Sequence, residues 1–269
     1  MKRKYFYIIL CFINLIIPII DLYNKVETHN TFISSLQNSE KNDNIMFPIY
    51  SDFSLWICGI NVSKYSAMFF YVLLATIIVF CFIFASEKMK QGLPENINMS
   101  KYCLNTYSKV FLLSGFLSAF PLIFNFISMS MFVSSIRPDS VYDIFYGIFS
   151  ENVFGDIFYK CPLLYLMIFI ILVFVFWGII GCIGYGLAIT FKYKSIPLLC
   201  EGGVLLIIHY IQYSSKSEKT FSPLSVFCSY KCLYENYKII FIEIFTLIVL
   251  VMLLFFYSSR HNKLVQHDI

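Results

Sequence analysis

The chain has 269 residues, of which 59% are hydrophobic and 13% charged, against about 25% charged in a typical soluble domain. With 30 Phe and 20 Tyr it cannot cover a water-facing surface, so a soluble globule is excluded and an integral membrane protein is indicated. The net charge of +4 is dispersed in small loops, which excludes a nucleic-acid binder, whose basic residues gather on one patch or stripe.

A membrane helix needs about 20 mostly apolar residues, and six runs meet or approach that length. The first, Tyr5–Ile20, is short, but Lys2, Arg3 and Lys4 can snorkel to lengthen it. It is expected to stay as an anchor: the chain continues as IIPIIDLYNK, without the small-x-small pattern of a signal cleavage site. Asp21–Tyr65 follows as a long polar loop, with Trp56 near its end suited to the headgroup layer. The second run is Ser66–Ser86.

Between the second and third runs lies the lysine-rich stretch SEKMKQGLPENINMSKYCLNTYSK, Ser86 to Lys109. Pro94 suits the start of a short helix there, and Asn96, Asn98 and Ser100 suit its cap. The third run is Val110–Val133, and Pro121 is expected to kink it by removing a backbone hydrogen bond. Asn14, Pro18 and Asn125 also fall inside apolar runs. Ser134–Cys161 alternates aromatic and acidic residues, a pattern expected for a helix or hairpin on the membrane surface.

The fourth run, Pro162–Phe191, is long enough to tilt. Its stretch WGIIGCIGYG places Gly178, Gly181 and Gly184 three apart, where glycines let a second helix backbone approach closely. The fifth run, Ser195–Gln212, holds Glu201 and His209. A carboxylate in hydrocarbon costs several kcal/mol unless paired or neutralised, so Glu201 is a functional candidate; its alternative is a snorkelling or protonated side chain near the interface. Eight residues separate Glu201 from His209, about 80° around a helix, so the two can share an interior but cannot touch. His209 is expected to hydrogen-bond a neighbouring helix. Tyr213–Lys238 is polar and carries Cys228 and Cys232, which either form a disulfide or stay unpaired. The sixth run, Ile239–Tyr257, holds Glu243 close to its start.

Lysine and arginine set the orientation. With the N-terminus inside, the interior segments hold 11 basic residues against Glu87, Glu95 and Asp268, and the exterior segments hold 9 basic against 11 acidic. The expected fold is therefore all-α: six transmembrane helices in one bundle, a single domain over 1–269, both termini cytoplasmic. No internal repeat or linker divides it.

Enzyme motifs are missing. The chain has no His-Glu-x-x-His, no Gly-x-Ser-x-Gly, and no Gly-Lys dipeptide, so it cannot form a P-loop. No catalytic residue, metal site or cofactor is expected. An intramembrane enzyme built on Glu201 and His209 would lack a nucleophile.

The layout resembles the permease subunits of type-2 ABC transporters, and in particular the short Gram-positive members. The residues that carry the likeness are FASEKMKQGLPENINMSKYCLNTYSKVFLLSGF and the Pro-led, glycine-clustered YKCPLLYLMIFIILVFVFWGIIGCIGYGLA. The resemblance implies a multi-pass cell-membrane protein that works as a homo- or heterodimer. A separate ATPase subunit would bind the first interior loop through Lys88, Lys90, Ile97, Met99, Lys101, Tyr102 and Leu104. The implied cargo is an amphipathic peptide or lipid-like molecule. The alternative is a non-transporting membrane protein, an immunity or accessory factor acting through its outer loops.

Overall fold

The computed structural model describes residues 3–38, 53, 63–90, 99–133, 154–191, 195–215, 222 and 237–267. These form α1 (Arg3–Asn38), α2 (Ser63–Lys90), α3 (Met99–Phe132), the short α4 (Gly155–Lys160), α5 (Pro162–Thr190), α6 (Ser195–Ser215) and α7 (Tyr237–His267). No strand occurs among the described residues. The protein is all-helical, and α1, α2, α3, α5, α6 and α7 are each long and apolar enough to cross a membrane.

Several helices outrun their expected limits, α1, α3 and α7 most: α7 runs on from Tyr257 to His267. The first span was expected to end at Ile20, but α1 continues to Asn38, so the polar segment from Asp21 begins as helix and not as loop. The reason is local: Lys25 Nζ meets Asp21 Oδ2 at 2.6 Å, one turn apart, with side chains only 5% and 12% exposed. The pair lets two charged residues sit on an inward helix face. With Asp21, Lys25 and Glu27 taken out of the exterior tally, eight basic residues still face nine acidic ones. The third span was expected from Val110, but α3 starts at Met99. Its polar first turns are ordinary helix, with Thr106 Oγ1 donating to the Tyr102 carbonyl at 2.9 Å. Pro94, Asn96, Ile97 and Asn98 lie outside the described residues, as do Trp56, Cys228 and Cys232.

α5 is the central helix. It has the highest mean hydropathy of the six candidate spans, and every residue from Phe176 to Gly186 is buried. It packs against α2, α3, α6 and α7. Its glycines sit where neighbours come closest: a Cβ at Gly178 would lie 2.7 Å from the Phe111 ring, and one at Gly181 would run into the Ser114 side chain. In lipid no hydrophobic force drives helices together, so such close backbone packing supplies much of the association energy. Aromatic contacts fill the core beside it. Tyr185 meets Tyr107 and Phe84 edge-on at 5.3 and 5.6 Å, and Tyr7 lies 5.6 Å from Phe80. These contacts gather the start of α1, the end of α2, the start of α3 and the end of α5 at one end of the bundle. The start of α6 and the end of α7 join them, through Glu201 against Gly184 and Phe255 against Tyr107.

At the opposite end a smaller core forms. Phe158 of α4 is fully buried against Tyr165, Met129 and Val133. α7 is the peripheral helix: no residue from Ile240 to Tyr257 is buried.

Candidate functional site

Helix α1 turns some of its polar residues inward and many of its large apolar ones outward. Asn14, Asp21 and Lys25 are buried, while Phe12, Ile16, Ile19 and Tyr23 are exposed. The spacing of 14, 18, 21 and 25 keeps these four positions on one face of a helix. Asn14 Nδ2 donates to the Leu117 carbonyl of α3 at 3.5 Å, and Asn14 Oδ1 accepts from Thr76 Oγ1 of α2 at 2.9 Å. Leu117 lies four residues before Pro121, which has no N–H to offer it, so Asn14 serves the carbonyl that the proline leaves free. Reciprocally, Asn125 Nδ2 of α3 donates to the Pro18 carbonyl of α1 at 2.7 Å. Each proline-containing helix is thus clasped by an asparagine of the other.

A second polar feature lies on the far side of α5. A groove of about 860 Å³ runs between α6 and α7 with α5 as its floor. Ile180, Ile183 and Leu187 form that floor, and Val204 and Leu250 stand among the apolar wall residues. Glu201 and Glu243 both line it. The two residues come from different helices, and nothing in their chain positions indicates that they line one groove. Glu201 Oε1 is buried and has no hydrogen-bond partner among the described residues. The carboxyl group occupies the room that a side chain at 184 would need: a Cβ there would lie 2.8 Å from Glu201 Oε2 and 3.2 Å from Cys81 Sγ. Gly184 therefore serves the carboxylate, while Gly178 and Gly181 serve the contact with α3. Thr246, the groove's hydroxyl, is satisfied within its own helix by the Ile242 carbonyl at 2.7 Å.

His209 is not near Glu201's end of the groove. Its Nδ1 lies 3.3 Å from Ser222 Oγ, in the segment after α6, and its ring meets Tyr71 of α2 edge-on at 6.0 Å. His209 was expected to hydrogen-bond a neighbouring helix; the contact seen is with Ser222, outside the helices. Gln212 Oε1 accepts the Ser222 backbone N–H, so the returning chain is pinned to the end of α6.

The lysine-rich residues cluster at the bundle end that holds the start of α3. Lys101 and Leu104 are exposed, Leu104 to 60%. Tyr102 is turned inward and half-buried. Lys88 Nζ lies 5.5 Å from the Tyr102 ring centre and 6.0 Å from that of Phe84, so Lys88 and Tyr102 tie α2 to α3. The backbones of Lys90 and Met99 end α2 and begin α3. Among the described residues no group of three or more His, Cys, Asp or Glu side chains could hold a metal ion.

No protein-family model matches the chain, and no curated protein or solved structure shows significant similarity to it.

Proposed function

We propose that this protein is the permease subunit of an ABC-type transporter in a bacterial cell membrane, moving an amphipathic cargo with energy from a separate ATPase subunit. The observation that carries the reading is the exposed outer face at the start of α3. Eleven residues of helix precede Val110, about 16 Å at 1.5 Å per residue, and they present Lys101 and Leu104 outward. A charged residue beside an exposed apolar one, on a rigid helix that continues into the bundle, suits a docking handle for a soluble partner. A push there would tilt α3 as a rigid body. The groove between α6 and α7 supplies a membrane-level surface for cargo, and the assembly would be a homo- or heterodimer.

Purification in mild detergent from the native membrane is expected to bring along a subunit that hydrolyses ATP. The double change Lys101→Glu and Leu104→Glu should abolish that pairing while leaving the thermal unfolding of the permease unchanged. Tyr102 is left intact because it packs against Lys88. Absence of ATP hydrolysis from the purified material, or pairing that survives the double change, would overturn the reading.

A further inference from the structure

The outer face of α3 changes character along its length. Asn105, Ser108 and Lys109 are exposed on it, and Leu112 and Phe116 follow on the same side, 57% and 51% exposed. Positions 105, 109, 112 and 116 recur at three- and four-residue steps, which keeps them on one helix face. The apolar run from Val110 to Val133 is about 36 Å long at 1.5 Å per residue, enough to cross the roughly 30 Å hydrocarbon layer. Asn105, Ser108 and Lys109 therefore lie at the headgroup level, and Leu112 and Phe116 face the acyl chains beside them.

The three polar side chains are unspent. Other hydroxyls of α3 turn back onto their own helix: Thr106 Oγ1 donates to the Tyr102 carbonyl, Ser118 Oγ to that of Gly115 and Ser130 Oγ to that of Phe126. Ser108 makes no such bond, and neither Asn105 nor Lys109 has a hydrogen-bond or ion-pair partner among the described residues. α3 contains no acidic residue, so Lys109 has no counter-charge on its own helix.

We propose that this face is a binding site for an anionic phospholipid. Its phosphate accepts hydrogen bonds from Lys109 Nζ, Ser108 Oγ and Asn105 Nδ2, and its chains lie along Leu112 and Phe116. A free phosphate would leave the apolar part of the face unused. A zwitterionic lipid brings a cationic group, for which α3 offers no carboxylate. The site does not depend on the permease reading.

The test uses the full chain in nanodiscs of equimolar phosphatidylglycerol and phosphatidylcholine with identical acyl chains. p-Benzoylphenylalanine in place of Phe116 photo-crosslinks whichever lipid lies there, and intact-mass spectrometry separates the two adducts. The phosphatidylglycerol adduct should be in about fivefold excess, the preference that one basic residue confers near a membrane surface. K109Q should bring the two adducts close to equality, and N105A with S108A should lower the excess at least about twofold. The same probe at Ile127, exposed further along this helix, should yield the two adducts equally. Equal adducts at Phe116 with the polar residues intact would overturn the proposal. So would an excess that survives K109Q, one indifferent to N105A with S108A, or an equal excess at Ile127. Lys109 is exposed and unpaired, so K109Q should unfold thermally as the unaltered protein does.

Discussion

Asn14 and Pro121 belong to different helices, yet each explains the other. The proline deprives the Leu117 carbonyl of its helical donor, and the asparagine supplies one from α1. Asn14→Ala should therefore destabilise the protein by about 1 kcal/mol, within the range for hydrogen bonds between membrane helices. Pro121→Ala restores the backbone donor, so the double variant should lose less than the sum of the single ones in a thermal-unfolding cycle. Additive losses would show that Leu117 does not depend on Asn14. The buried Asp21–Lys25 pair makes a larger claim. Lys25→Met strands a carboxylate inside the bundle and should cost about 3–5 kcal/mol. Asp21→Leu together with Lys25→Met should recover most of it. Equal instability in the single and double variants would mean that the pair does not lie inside the bundle.

The helices differ in how much of each is enclosed, and that sets what substitutions in them cost. Phe176 of α5 is 1% exposed and Phe245 of α7 is 67% exposed. Lipid tails are as apolar as a protein core, so truncating a residue in this setting forfeits packing and not transfer from water. Phe176→Ala should cost about 2–3 kcal/mol, below the 3–5 typical of aqueous cores, and Phe245→Ala close to nothing, as read by unfolding in mixed micelles. Comparable losses at the two sites would show that α7 is enclosed by something more than lipid. The six spans were legible because about 20 apolar residues in a row have few other uses. The extension of α1 beyond Ile20 was not: polar residues after an apolar run read as loop unless their turn-by-turn spacing, here Asp21 to Lys25, is weighed. The glycine contacts were legible in kind, since 178, 181 and 184 are spaced for a close approach, but their partners Phe111, Ser114 and Glu201 were not. The shared groove of Glu201 and Glu243 was illegible for the same reason. Spacing places a residue on its own helix and says nothing about which helices become neighbours.

At the scale of the whole molecule, the lysine-rich connections fall at one bundle end, and the excess of Lys and Arg there should keep that end in the cytoplasm. A reporter fused after Lys90 should be active only if it functions inside the cell; activity confined to the exterior would invert the orientation. Helices α1 and α3 run in the same direction, since Asn14 meets Leu117 and Pro18 meets Asn125. Counted from those meeting points at 1.5 Å per residue, α3 reaches about 10 Å further than α1 at the lysine-bearing end, and α1 reaches about 20 Å further than α3 at the other. The two therefore make a spliced beam longer than the roughly 30 Å hydrocarbon layer, with the splice buried between them and one helix running past the other at each end. Thrust applied to one tip reaches the opposite tip through the splice, with no hinge needed between them.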